Sequence, residues 1–139
     1  MPHHRSVLQH WLLVRGTGDR PLPERVSSDS LRGHSSTRRP SVQKGDLAVC
    51  YASRWQVVFA LVEVVGDPEN EPGRERWGWR FPIRPLLALD DLREAPPVEA
   101  AGVMPSSLGR HSYVRLTPEQ FEAAAVAISD ARNNTDDPG

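Results

Sequence analysis

Two apolar runs separated by a short polar connection constrain this chain more than any other feature. Leu47-Ala48-Val49-Cys50-Tyr51 is apolar or aromatic throughout, and residues 57–65 are broken only by Glu63. Short runs of this kind, rich in β-branched residues and nearly without polar alternation, read as strands covered on both faces. Ser53-Arg54-Trp55-Gln56 is a tight connection, so the two runs pair as a hairpin in the middle of a sheet. Lys44-Gly45-Asp46 ahead of them is a turn signal, because glycine frees the backbone and Asp46 can bond neighbouring amides. The first run surfaces at Tyr51-Ala52-Ser53. A polar-aromatic strand end of this sort suits the edge of a pocket, and it equally describes an ordinary hairpin strand.

Further elements follow from local pattern. His10-Trp11-Leu12-Leu13-Val14-Arg15 reads as an opening strand, and Trp77-Gly78-Trp79-Arg80-Phe81-Pro82-Ile83 alternates as a later one. Pro82 and Pro85 make that later strand an edge strand or an interrupted one. The expected strands are therefore 10–15, 46–52, 57–65, 77–84 and 110–116. Thr117-Pro118-Glu119-Gln120 carries an N-cap, a proline at the first helical position and a capping-box glutamine, so a helix is expected over 118–131. Phe121, Ala124, Ala125 and Ile128 give that helix one apolar face. A short helix is expected over 22–31, ended by Gly33, and residues 33–40 are expected to be a long basic loop.

At 139 residues this is one domain, assigned to 8–132 with flexible termini at 1–7 and 133–139. No apolar run approaches the ~20 residues of a membrane helix, and a lone cysteine, Cys50, rules out an intrachain disulfide and fits a reducing cytoplasm. The formal net charge of −1 conceals an asymmetry. Residues 1–55 hold nine basic and four acidic side chains, and the remainder eight and fourteen. A basic half is what a nucleic-acid surface needs, although a solvated face is the commoner outcome.

Hydrolytic chemistry finds little support. His111 and Ser112 are neighbours in an expected strand and point to opposite faces, so they cannot act as base and nucleophile. Cys50 lies mid-strand with no histidine near it in sequence, and the sole lysine, Lys44, sits in a turn. Phosphate loops, His-x-x-x-His and paired cysteines are missing from the sequence, so no metal or cofactor is expected. Trp11, Trp55, Trp77 and Trp79 fall at strand starts or loop junctions, where an indole either anchors a core or stacks on a planar ligand.

Taken in order, several segments resemble the EVE domain, a PUA-like relative of YTH and ASCH domains. They are His10-Trp11-Leu12-Leu13-Val14, Lys44-Gly45-Asp46 with Tyr51-Ala52-Ser53, Arg76-Trp77 leading to Leu86-Leu87, and the block from Arg110-His111-Ser112 to Gln120-Phe121. The Trp-x-Gly-Val-Arg-Asn segment usual before the Gly-Asp turn is absent, and Phe59-Ala60 replace the glycines usual in the second hairpin strand. The resemblance implies an α+β fold, a small mixed β-barrel with flanking helices, and a pocket beside the Tyr-x-Ser strand end. It further implies a non-catalytic reader of a modified nucleobase in DNA or RNA. On that reading Trp11, Tyr51, Ser53, Trp55, Trp77, Arg110, His111 and Ser112 bind the base, and Arg32, Arg38 and Arg39 meet phosphates. The alternatives are a small nucleoside- or amide-processing enzyme, as among ASCH-like relatives, and a partner-binding module.

Overall fold

The computed structural model describes residues 7–17, 19–73, 78–109 and 111–136. The expected hairpin forms the centre of the fold. β3 (Leu47–Ala52) and β4 (Val57–Val64) pair antiparallel, following β1 (His10–Arg15) and β2 (Gly33–Ser36) in the chain. After them come β5 (Glu69–Asn70), β6 (Trp79–Ala88), β7 (Tyr113–Leu116) and a single α-helix among the described residues, α1 (Pro118–Asp136). The strands form one sheet in the order β2-β6-β4-β3-β1-β7, with β5 also on β6. Only β1 and β3 run parallel; every other pairing is antiparallel.

The sheet curls until its two outer strands approach. His34 of β2 reaches the carbonyl of Ser112, just ahead of β7, at 2.7 Å. Lateral partners share a face of a sheet and successive residues alternate. Trp11, Leu13 and Arg15 of β1 therefore stand with Ala48, Cys50 and Ala52 of β3 on the concave side. His10, Leu12 and Val14 stand with Leu47, Val49 and Tyr51 on the other, where the His10 ring lies 4.7 Å from that of Phe121 on α1. The core is thus two-sided, which is why the central hairpin is apolar without alternation.

Both local signatures predicted from sequence are present as physical bonds. Asp46 is fully buried and its carboxylate accepts the N–H groups of Gln9 and Gln43 at 3.0 Å and the Trp11 indole at 2.8 Å. Thr117 and Gln120 cap α1 reciprocally, each side-chain oxygen taking the other's backbone N–H. Ala124 and Ile128 are fully buried on the helix face that meets the sheet.

Three expectations need correction and a fourth is narrowed to one of its alternatives. Residues 22–31 are not a helix, because Glu24 to Val26 run extended against Asp90 to Leu92 and leave only one 3-10 turn at Ser28–Ser30. Residues 33–40 are not a free loop. β2 lies there, and Gly33, His34, Ser36 and Pro40 are buried. Of the two alternatives for the proline-bearing strand, the interrupted one holds: β6 is internal, and its ladder with β4 shifts register opposite Pro85, leaving Leu86 outside the pairing and half exposed. α1 continues to Asp136, beyond the expected end at 131. No helix among the described residues is long and apolar enough to cross a membrane.

Candidate nucleic-acid interface

β1 and β3 are parallel, so their C-terminal ends lie side by side. The Ser53 N–H donates to the Arg15 carbonyl at 2.9 Å, extending the ladder by one residue past β3. Ser112 joins the same end, because its carbonyl accepts the Val14 N–H at 3.0 Å. His111, one residue before, is exposed. Beyond Ser53 the chain turns through Arg54 and Gln56, both in the left-handed region at φ 73° and 59°. This turn sets Trp55 half-buried, its indole N–H on the Leu22 carbonyl at 2.8 Å.

Four residues marked by the sequence therefore gather at one end of the sheet: Ser53, Trp55, His111 and Ser112. Two others do not join them in the same way. Trp11 lies four residues back along β1, is buried, donates to Asp46 and stands edge-on to Tyr113 at 5.6 Å. Its role in the structure is that of a core anchor. Tyr51 pairs with Val14 near the site, but it is buried on the α1 side of β3, one residue out of phase with Ala52. Burial raises its phenol pKa, and the Glu99 carboxylate adds to that. Trp77 and Arg110 lie outside the described residues.

Of the expected phosphate-binding residues, Arg32, Arg38 and Arg39 are all exposed. Arg39 lies over the Trp79 ring at 5.7 Å, and the backbone at Arg38 is tied to Ser36. Arg32 borders a hollow of about 300 Å³ shared with Asp67, Glu69, Glu71 and Arg80. A second hollow, of about 270 Å³, is lined by Asp90, Asp91, Glu94 and Arg132 among others. Both carry more carboxylates than cations, which repel a phosphate backbone, so neither is the stronger candidate. No group of three or more His, Cys, Asp or Glu side chains suited to a metal ion forms among the described residues.

Sequence reasoning missed two residues at the strand-end site. Arg15 projects from the end of β1 and its Nη1 donates to the Gly33 carbonyl at 2.7 Å and to His34 Nδ1 at 3.0 Å. His34 is buried and its other nitrogen bonds the Ser112 carbonyl. A carbonyl only accepts and a guanidinium only donates, so His34 must be the neutral Nε2–H tautomer. Burial chiefly, with Arg15 and then Arg80 as neighbouring charges, holds its pKa down at about 4 against the pull of the Ser112 bond. Cys50 on the same concave side is pushed up to about 11 by burial, partly offset by Arg15. It is a packed thiol rather than a nucleophile.

Solved structures share this architecture from end to end. Human THYN1, in complex with 5-methylcytosine-containing DNA, superposes with a TM-score of 0.54 at 13% identity, over 88% of this chain and 97% of that one. This chain has the same α+β fold as THYN1, a curled mixed sheet with a C-terminal helix. Rpa0253 from Rhodopseudomonas palustris shares the fold with a TM-score of 0.59 at 14% identity, over 88% of this chain and 94% of its own. Atu2648 from Agrobacterium tumefaciens gives 0.57 at 17% identity, over 86% and 92%. Neither the protein-family models nor the curated proteins contain a significant match to the sequence. The α+β fold with a curled mixed sheet expected from the ordered motifs is therefore the fold observed, with β2 lying ahead of the Gly-Asp turn.

Proposed function

We propose that this chain is a non-catalytic nucleic-acid-binding domain that reads a modified base at the strand-end site. The observation carrying this reading is the convergence of Ser53, Trp55, His111 and Ser112 on one end of a sheet whose fold THYN1 uses in complex with 5-methylcytosine-containing DNA. Trp55 offers a ring for stacking, and Ser53, His111 and Ser112 offer polar atoms to a base edge. Tyr51 backs the site from the α1 side, and Arg110 and Trp77, which the family resemblance assigns to base binding, lie outside the described residues. Arg32, Arg38 and Arg39 supply exposed charge for the phosphate backbone. Lys44 stands in the turn before β3, at the other end of that strand from Ser53, so it does not converge with these groups as a catalytic lysine would need to.

The test is binding to matched oligonucleotides that carry 5-methylcytosine or cytosine. Wild-type protein is expected to prefer one of the pair, and Trp55→Ala, once shown to be folded, to lose about 1–3 kcal/mol of affinity. Neutralising Arg32, Arg38 and Arg39 together is expected to weaken all oligonucleotides alike and to lower the slope of log K against log salt by about 2–3. A protein that ignores both oligonucleotides at low salt is not a nucleic-acid reader.

A further inference from the structure

Arg15 is half-buried, yet among the described residues every partner of its guanidinium is neutral: the carbonyls of Gly33 and Ser30 and the Nδ1 of His34. Among the described residues no carboxylate reaches it, whereas Arg84 lies against Glu63 and Arg93 against both Glu24 and Asp91. A cation drawn from water without a counter-charge is unfavourable, so its retention asks what supplies the missing acceptors. Gly33 and His34 take both Nη1 hydrogens, and Ser30 takes one from Nη2 at 3.3 Å. The Nε–H and one Nη2–H, from neighbouring nitrogens of the plane, have no protein partner among the described residues. Arg15 is also built into the strand-end site, since Ser53 bonds its carbonyl and His34 ties it to Ser112.

We infer that Arg15 reads the edge of the bound base, donating from Nε and Nη2 to two adjacent acceptors, with His34 as the positioning residue that fixes the guanidinium plane. This rests on the strand-end site being a base-binding one. Adjacent acceptors occur at O2 and N3 of cytosine and at O6 and N7 of guanine; the edges of adenine and thymine alternate donors with acceptors. The ligand class is therefore a cytosine- or guanine-type base, modified at positions away from that acceptor pair. Two phosphate oxygens offer the same chemistry. The half-buried, fixed setting of Arg15 favours the base edge, and the exposed Arg32, Arg38 and Arg39 suit phosphates better.

The experiment measures affinities of the full chain for short oligonucleotides differing at one central base (5-methylcytosine, cytosine, guanine, adenine or thymine) at several salt concentrations. Wild type is expected to favour the first three by about tenfold or more. Folded Arg15→Lys, which keeps the charge and loses the planar fork, is expected to abolish that preference with the salt slope unchanged. His34→Gln is expected to reduce the preference in the same way. Uniform weakening by Arg15→Lys with a slope smaller by about 1 assigns Arg15 to a phosphate and overturns the base-edge role. Preference retained in Arg15→Lys overturns it too. A readout free of any variant is the Arg15 Nε–H resonance of the wild type, expected to shift with the preferred oligonucleotide and not with inorganic phosphate; no shift overturns the assignment. Wild type binding no oligonucleotide removes the base-reading function itself, whereas binding with selectivity that survives at Arg15→Lys removes only this role for Arg15.

Discussion

Lowering the pH from 8 to 5 is expected to destabilise the fold through one side chain, His34. Its imidazole accepts from Arg15 and donates to Ser112, so a second ring proton would point at a guanidinium N–H inside a buried site. The folded pKa is held at about 4, against 6.5 for an unperturbed histidine. Above pH 6.5 the ring is neutral in both states and its bonds are fully present. As pH falls through 6.5 the unfolded chain takes up a proton that the folded chain refuses, so stability drops until the folded pKa is reached. The gap between 4 and 6.5 corresponds to about 3 kcal/mol at its limit, of which about 2 kcal/mol is lost by pH 5. Urea unfolding of wild type and His34→Gln at intervals between pH 8 and 4 isolates this contribution, because the carboxylates titrate in both proteins. The difference in stability between them should narrow steadily below pH 6.5. A constant difference over the whole range would show that His34 is not buried neutral, and the tautomer argument would fall with it.

Other expectations test the supports beneath the site. Asp46→Ala leaves the Trp11 indole and the amides of Gln9 and Gln43 without their acceptor, and urea unfolding should show a loss of about 3 kcal/mol or more. Thr117→Ala removes half of the capping box of α1 and should reduce stability by about 1 kcal/mol with oligonucleotide binding unchanged, since α1 starts away from the strand ends. Cys50, fully buried with its thiol pushed up to about 11, should react with an aromatic disulfide reagent only as fast as the protein opens. A rapid reaction in native buffer would contradict the packed concave side.

Much of the fold was legible because its signals are local. The unbroken apolar hairpin, the Gly-Asp turn, the opening strand and the capped helix each advertise themselves within a few residues, through side-chain period and backbone preference. The strand end at Ser53 was legible for the same reason, whereas Ser112, expected inside a strand over 110–116, lies just ahead of β7. β2 was not legible, because Gly33-His34-Ser35-Ser36 has little intrinsic strand preference. It becomes a strand by pairing with residues 79–82 of β6, a partner remote in sequence. Trp11 could be placed on a strand, but the sequence left open whether its indole faced a ligand or the buried Asp46, and the answer lies 35 residues away.

The sequence by itself determined the central hairpin, the opening strand and the capped helix, since these follow from steric and hydrophobic patterning along the chain. Which strand ends meet was decided only by the tertiary structure. Parallel pairing of β1 with β3 sets Arg15 beside Ser53, and the curl of the sheet carries His34 to Ser112 across 78 residues. A buried neutral histidine, and a cation with no counter-charge among the described residues, are properties of an environment that no single segment contains.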